Sequence, residues 1–306
     1  MFKNVIVYRI AAGWASALAQ MEEALQGACF VPCGATQEQS SGWVPPRGDA
    51  HGPLVESVGG QWIMKFMVEV RMLPASVLKR RVEERAAQIE AETGRKPGKK
   101  EMRDIRDEAR LDLLPMAFTK QASVPVWLDA QAGWLVVGAA SQSRADAVTT
   151  ALVERCSGLS LALLDTQLSP QAAMAQWLTT QEPPAGFSVD RECELKASDE
   201  SKAVVRYSKH PLDIEEIRQH IAQGKQPAKL ALTWDDRVSF VLTEGLQLKK
   251  IVFQDVVFEG ARAQDGGFDA DVAIATGELG GLLPELIAAL DGETPRGAAA
   301  GGGADF

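Results

Sequence analysis

Residues 74–120 read PASVLKRRVEERAAQIEAETGRKPGKKEMRDIRDEARLDLLPMAFTK. Pro74 can open a helix, and Leu78, Val82, Ala86 and Ile89 recur behind it at helical spacing. Gly94 supplies the residue that ends such a helix in a left-handed turn. Arg95-Lys96-Pro97-Gly98-Lys99-Lys100 then reads as a turn. Met102, Ile105, Ala109 and Leu113 mark a second amphipathic helix that stops before Pro115. Two helices joined by so short a loop form an antiparallel hairpin. An alternating strand precedes the hairpin and another follows it, so the hairpin is an arm inserted into a mixed α/β body.

The arm also departs from the rest of the chain in charge. Residues 75–120 hold 12 Lys/Arg and 9 Asp/Glu, a balance of +3. The whole chain holds 32 and 41, so the remainder carries 20 against 32, or −12. Most of the helical charges sort by flank. Arg103, Arg106 and Arg110 lie on one side of the second apolar seam, and Glu101, Asp104 and Glu108 on the other. In the first helix Arg81 and Arg85 share one flank, opposite Glu83, Glu90 and Lys79. Antiparallel packing sets Arg81 and Arg85 against the acidic flank, and Glu83 and Glu90 against the arginines, which holds the register. The turn differs, because Arg95, Lys96, Lys99 and Lys100 have no acid among them, though Glu92 and Glu101 flank the cluster. Two readings stand there: a phosphate contact and a solvated turn. Phe118, where the arm rejoins the body, reads either as core or as an anchor for a partner subunit.

Outward from the arm, Lys3–Ile10 reads as a strand, Ser16–Gln26 as a helix and Cys29–Cys33 as a short strand. Gly42-Trp43-Val44-Pro45-Pro46 is extended, since Pro46 holds Pro45 out of the helical region. Trp62–Leu73, Phe118–Asp129 and Trp134–Ala139 are strands, and helices follow near 143–156 and 170–179. Ser169 is expected to cap the latter, with Pro170 at its first position. After a Pro/Gly linker at 181–186 come strands near 191–197 and 202–208. Asp213 with Glu216 suggests a capping box for a helix ending at Gly224. Lys229–Trp234, Arg237–Leu242 and Leu248–Phe253 form an antiparallel meander, and the last helix spans about 277–290. The expected class is therefore α+β: mixed, mainly antiparallel sheets with flanking helices and a helical hairpin. The expected division is 1–74 with 115–182 as a central domain, 75–114 as an inserted tip, 186–292 as a C-terminal base domain and 293–306 as a disordered tail.

At 306 residues, net charge −9 and 46% hydrophobic content, the chain suits a two-domain acidic protein with a sizeable core. Lys3 and Ala15-Ser16-Ala17 imitate an export signal, but Arg9 interrupts the apolar stretch. No apolar run approaches a membrane span of about 18 residues, so a cytoplasmic location is expected. Cys29, Cys33, Cys156 and Cys193 form no CxxC pair, and the CxxxC spacing of the first two reads as buried structural thiols. GxxxxGK[ST], HExxH, GxSxG and a dinucleotide fingerprint are absent. His51, His210 and His220 offer little for a triad or zinc site. Asp269, Asp271 and Glu278 allow a two-metal nuclease reading, although acids at a helix start more often serve its dipole. Gly277, Gly280 and Gly281 read as close helix packing, and the seven tryptophans as core. No catalytic residue, metal or cofactor is expected.

Several segments together resemble the bacterial recombination-associated protein RdgC family. They are Phe2-Lys3-Asn4 with Val7-Tyr8-Arg9, Pro32-Cys33-Gly34, Gly42-Trp43-Val44-Pro45-Pro46, and Leu113-Leu114-Pro115 with Ala117-Phe118. Lys229-Leu230-Ala231-Leu232 follows, then Phe268-Asp269-Ala270-Asp271 with Thr276-Gly277-Glu278-Leu279. They occur in the family's order from residue 2 to about 292. The resemblance implies a ring-shaped homodimer of crescent protomers that encircles duplex DNA with little sequence preference, binds single strands more weakly, and restrains RecA on the nucleoid. With duplex DNA as the partner, the candidate phosphate ligands are Lys79, Arg80, Arg95, Lys96, Lys99, Lys100, Lys120, Arg206 and Lys209. The resemblance places Phe118 in the partner's pocket where two tips meet. Lys209 matches a basic finger residue, but the family's usual glutamine is replaced here by His210, followed by Pro211. The competing reading is an interaction protein whose arm binds another protein, with DNA binding incidental.

Overall fold

The computed structural model describes residues 1–258 and 267–295. Of the disordered tail expected at 293–306, residues 296–306 lie outside the described residues, whereas Glu293 accepts from Arg9 Nε (2.9 Å) and forms a bridge with Thr166, so the expectation fails at its start. In chain order the elements are β1 (Asn4–Ile10), α1 (Leu18–Gln26), β2 (Gln39–Val44), β3 (Val55–Val58), β4 (Gln61–Met72), α2 (Ala75–Thr93) and α3 (Lys99–Leu113). A 3-10 turn at Leu114–Met116 leads to β5 (Phe118–Asp129), β6 (Trp134–Val137), α4 (Gln142–Val153), β7 (Leu161–Leu163) and α5 (Pro170–Thr180). Then come β8 (Phe187–Ala197), β9 (Val204–Ser208), α6 (Glu215–Ala222), β10 (Lys225–Trp234), β11 (Val238–Thr243), β12 (Leu248–Phe253), α7 (Asp255–Phe258) and α8 (Phe268–Ala289). The α+β class with antiparallel sheet and flanking helices is what the structure shows.

The chain forms two compact units. The larger comprises Met1–Leu18, Val55–Ile63 and the chain from Pro125 onward. Its strands run β5-β6-β1-β12-β11-β10-β8-β9, each antiparallel to its neighbour, with β7 also on β1. The β8–β10 pairing carries two register shifts, yet around Cys193–Leu195 and Lys229–Leu230 successive residues still belong to opposite faces. Cys193, Leu195, Leu230 and Leu232 are buried in one core with Trp177 of α5, Ile217 of α6 and the buried stripe of α8, while Glu194 and Lys229 belong to the opposite face. Gly281 of α8 allows the close approach of Trp234, since a Cβ there would stand 2.9 Å from the indole. Gly277 has nothing within 4 Å, so it takes no part in that packing.

The smaller unit comprises Ala19–Leu54 and Met64–Val124. β2 pairs antiparallel with β4 from Gln39 opposite Val70 to Val44 opposite Lys65. Trp43 meets Phe66 edge to face at 4.9 Å. Gly42 has backbone of Phe30 2.6 Å from where a Cβ would stand, which closes that position to any side chain. The α2–α3 hairpin buries Leu78, Val82, Ile105 and Ala109, flanked by Leu73, Ile89, Met102 and Leu113. Gly94 ends α2 in a left-handed conformation (φ 72°) and donates its N–H to Glu90 O.

Several expectations need correction. Of the strand expected at Cys29–Cys33, only Cys29 forms a bridge, to Trp43. Lys99 and Lys100 are the first residues of α3 rather than part of the turn. Ser169 caps α5 by accepting from Ala172 N, as expected, but α6 is entered from extended Ile214 with no side-chain cap, so the Asp213–Glu216 box does not form. β3 and β7 have no counterpart in the sequence reading. α8 starts nine residues early, at Phe268 rather than 277. It is also long and apolar enough to cross a membrane by length and composition. Its burial explains that character: Val272, Ala275, Leu279, Leu282, Leu283, Leu286 and Ile287 all enter the core.

Candidate nucleic-acid interface

The arm is rooted by Arg71, near the end of β4. Its Nε donates to Gly34 O (3.1 Å), Nη1 to Leu114 O (3.1 Å) and Ala117 O (3.2 Å), and Nη2 to Cys33 O (3.2 Å). One planar guanidinium thus ties the segment leaving α3 to the loop ahead of β2. Beside it Glu69, 3% exposed, accepts from Cys33 N (2.8 Å) and from Gln121 Nε2 (2.6 Å). The bond from Gln121, then that from Cys33 N, holds this carboxyl below its ordinary value. Sequence reading assigned neither residue a role. The available signal was an acid and a base two positions apart, Glu69 and Arg71, hence on one face of a mainly apolar strand.

The expected pairing of flanks forms in part. Arg85 reaches the acidic flank, bonding Glu108 Oε2 at 2.9 Å and also Asp112. Arg81 instead pairs within α2 with Glu84 (3.7 Å). On the other side Arg110 leaves the hairpin to bond Glu38 (2.9 Å), Glu83 pairs with Lys79 (3.7 Å), and among the described residues no ion pair joins Glu90 to Arg103 or Arg106.

The nine candidate phosphate ligands are all exposed, and they divide by what they touch. In the smaller unit Arg80 faces Glu84 at 3.7 Å and Lys79 faces Glu83 at 3.7 Å. Arg95 faces Glu101 at 2.9 Å. Glu101 also accepts from Gly98 N (3.3 Å), and the Arg95 bond followed by this one lowers its pKa. Arg95 is therefore committed to closing the turn. Lys96, Lys99, Lys100 and Lys120 make no ion pair among the described residues. Lys96 of the turn lies close in sequence to Lys99 and Lys100 at the start of α3, whereas Lys79 and Arg80 stand about 20 Å away along α2 at 1.5 Å per residue. In the larger unit Arg206 bonds Glu194 at 2.7 Å. Lys209 makes no ion pair among the described residues, at a left-handed position (φ 55°). The neighbouring His210 turns Nδ1 to Pro211 O (2.7 Å), and its ring lies 5.9 Å from that of Tyr207. Phe118 is 87% exposed and Met116 72%, so Phe118 is not core in this chain.

The catalytic alternatives lose their geometry. Asp269 and Asp271 sit in the first turn of α8, where residues two apart diverge by about 200° instead of sharing a strand face. Glu278 is held by Arg237, whose Nε stands 2.8 Å from Oε2. Among the described residues no group of three His, Cys, Asp or Glu could hold a metal ion. Cys29 is exposed and Cys33 half-buried, not buried as expected, while Cys156 and Cys193 are buried; none of the four is in a disulfide among the described residues. Five of the seven tryptophans (Trp43, Trp127, Trp134, Trp177 and Trp234) are buried core.

What remains is an α+β protein with lysines that make no ion pair among the described residues near a hairpin turn, and exposed hydrophobics at its root. The family described as "Putative exonuclease, RdgC" matches residues 1–293. The chain is 47% identical over 299 residues to the recombination-associated protein RdgC of Dechloromonas aromatica (strain RCB), covering 95% of this chain and 98% of that one. It is 42% identical over 296 residues to the protein of the same name from Cupriavidus pinatubonensis (95% and 98%). It is 41% identical over 296 residues to that from Bordetella pertussis (95% and 98%). The chain belongs to the RdgC family.

Proposed function

We propose that this chain is a non-enzymatic, nucleoid-associated cytoplasmic protein that binds duplex DNA without sequence preference, closes around it as a homodimeric ring and restrains RecA-dependent recombination. The observation that carries the reading is the group Lys96, Lys99 and Lys100, exposed and without an ion pair among the described residues, where the arm's turn enters α3. Lys99 and Lys100 occupy the first turn of α3, where positive charge opposes the helix dipole. An anion at that turn is attracted by the lysines and by the positive end of the α3 dipole together, although Glu101 already accepts from Gly98 N there. Phosphate contacts of this kind position a protein without reading bases.

Titration of labelled duplexes of unrelated sequence tests it. Affinity should fall about 10³-fold or more between about 50 and 200 mM salt and hardly change with sequence. Binding indifferent to salt would overturn it. The family's exonuclease description supplies a direct check on the non-enzymatic part: prolonged incubation with magnesium or manganese should leave end-labelled DNA intact.

The exposure of Leu111, Met116 and Phe118 favours a second reading, an arm that binds a different protein with DNA binding incidental. A tip variant that binds DNA normally yet no longer restrains RecA would select it.

A further inference from the structure

Arg206 was assigned to phosphate, yet it is engaged by a carboxylate. Strand registers explain how. Glu194 of β8 stands opposite Arg206 of β9 and opposite Lys229 of β10, which in turn faces Thr243 of β11. The four form one rung across the sheet, on the face away from the apolar core. Arg206 Nε lies 2.7 Å and Lys229 Nζ 3.0 Å from Glu194 Oε2, and Lys196 Nζ lies 3.9 Å from Oε1. Lys196 also reaches Glu244 at 3.1 Å.

The exposures within this cluster are unequal. The Glu194 side chain is 9% exposed, whereas those of Arg206, Lys196 and Lys229 are 71%, 42% and 38% exposed. The carboxylate is the floor and the cations are the rim. Burial pushes the Glu194 carboxyl up, but bonds from Arg206 and Lys229 outweigh it and hold the group below its usual value, so it is charged near neutral pH. Among the described residues neither Nη of Arg206 has a hydrogen-bond partner, and Lys229 Nζ makes one bond of the three its hydrogens allow. The rung therefore offers unused donors to solvent while carrying its own anion beneath them.

We infer that Lys196, Arg206 and Lys229 form a second phosphate-binding cluster, and that Glu194 is its built-in counter-ion, gathering the cations while cancelling part of their attraction for DNA. This rests on the DNA-binding reading and deepens it. Lys196 and Lys229 join the contact set, and Glu194 sets how weakly the cluster holds. Such tempering suits a protein that must leave duplex as well as hold it.

Glu194→Gln is the deciding variant, because its amide oxygen can still accept from Arg206 while its charge is gone. With mixed-sequence duplex, affinity should rise on the order of fivefold, the effect of removing one charge several ångströms from a phosphate near the surface. The salt slope should steepen by about one unit per protomer. Lys229→Gln should weaken binding and flatten the slope, and it also decides the matter where Glu194→Gln fails to fold. A folded Glu194→Gln that binds no better than the parent, or Lys229→Gln with parental affinity, overturns the inference and leaves the DNA reading standing. Absence of DNA binding by the parent at low salt sinks both.

Discussion

Arg71 makes four hydrogen bonds to backbone carbonyls where the arm leaves the body of its unit, and two of those oxygens, Gly34 O and Leu114 O, also accept from backbone N–H groups. Arg71→Ala should therefore lower the unfolding free energy by about 2–3 kcal/mol in urea, more than an exposed arginine would. Arg71→Lys should recover only part of this, because a point charge cannot span acceptors arranged for a planar fork. Its neighbour Glu69 governs an acid-side effect. The carboxyl titrates below its ordinary value of 4.5 in the folded chain, so the stability it contributes is complete above 4.5 and is lost as pH falls through the lower folded value. Glu101 and Glu194 shift in the same direction. Urea midpoints should drop as pH falls below about 4.5, and Glu69→Gln should make that drop shallower. An unchanged profile would remove Glu69 from the account.

For the arm as an element, the apolar seam and the ion pairs make unequal demands. Ile105 is 5% exposed, and Ile105→Ala should cost about 2–4 kcal/mol, seen as faster hydrogen exchange across α2 and α3. Arg85→Ala removes two ion pairs at the surface and should cost no more than about 1 kcal/mol. Equal effects would mean that charge rather than packing holds the hairpin. The hairpin was legible because its information is local: periodic Leu78, Val82, Ile105 and Ala109, and a glycine stop. Arg85 against Glu108 followed from flank geometry alone. Arg81 did not, because a nearer acid, Glu84, lay on its own helix. The Asp213 box failed because a motif of two residues says nothing of where the backbone turns; Ile214 took the cap position instead. The rung of Glu194, Arg206 and Lys229 was invisible for a different reason. Its members are 12 and 35 positions apart, and only strand order and register bring them together.

At the scale of the whole molecule the question is what covers Phe118. A phenyl ring 87% exposed, beside Met116 at 72% and Leu111 at 52%, contributes almost nothing to the fold of a single chain. Phe118→Ala should therefore leave the thermal midpoint of the isolated chain unchanged. Buried in a partner's pocket, the same ring becomes an anchor whose truncation costs about 2 kcal/mol or more, a roughly thirtyfold weaker dimer. In the proposed ring, closure would link two DNA-binding protomers, so a weakened contact should also shorten the residence of the protein on DNA beyond any direct loss, because rebinding within a closed ring is intramolecular. Sedimentation at graded concentrations and dissociation from a circular duplex should then change together. A dimer of parental strength with parental DNA retention would take the clasp away from Phe118 and leave the lysines of the turn to account for binding alone.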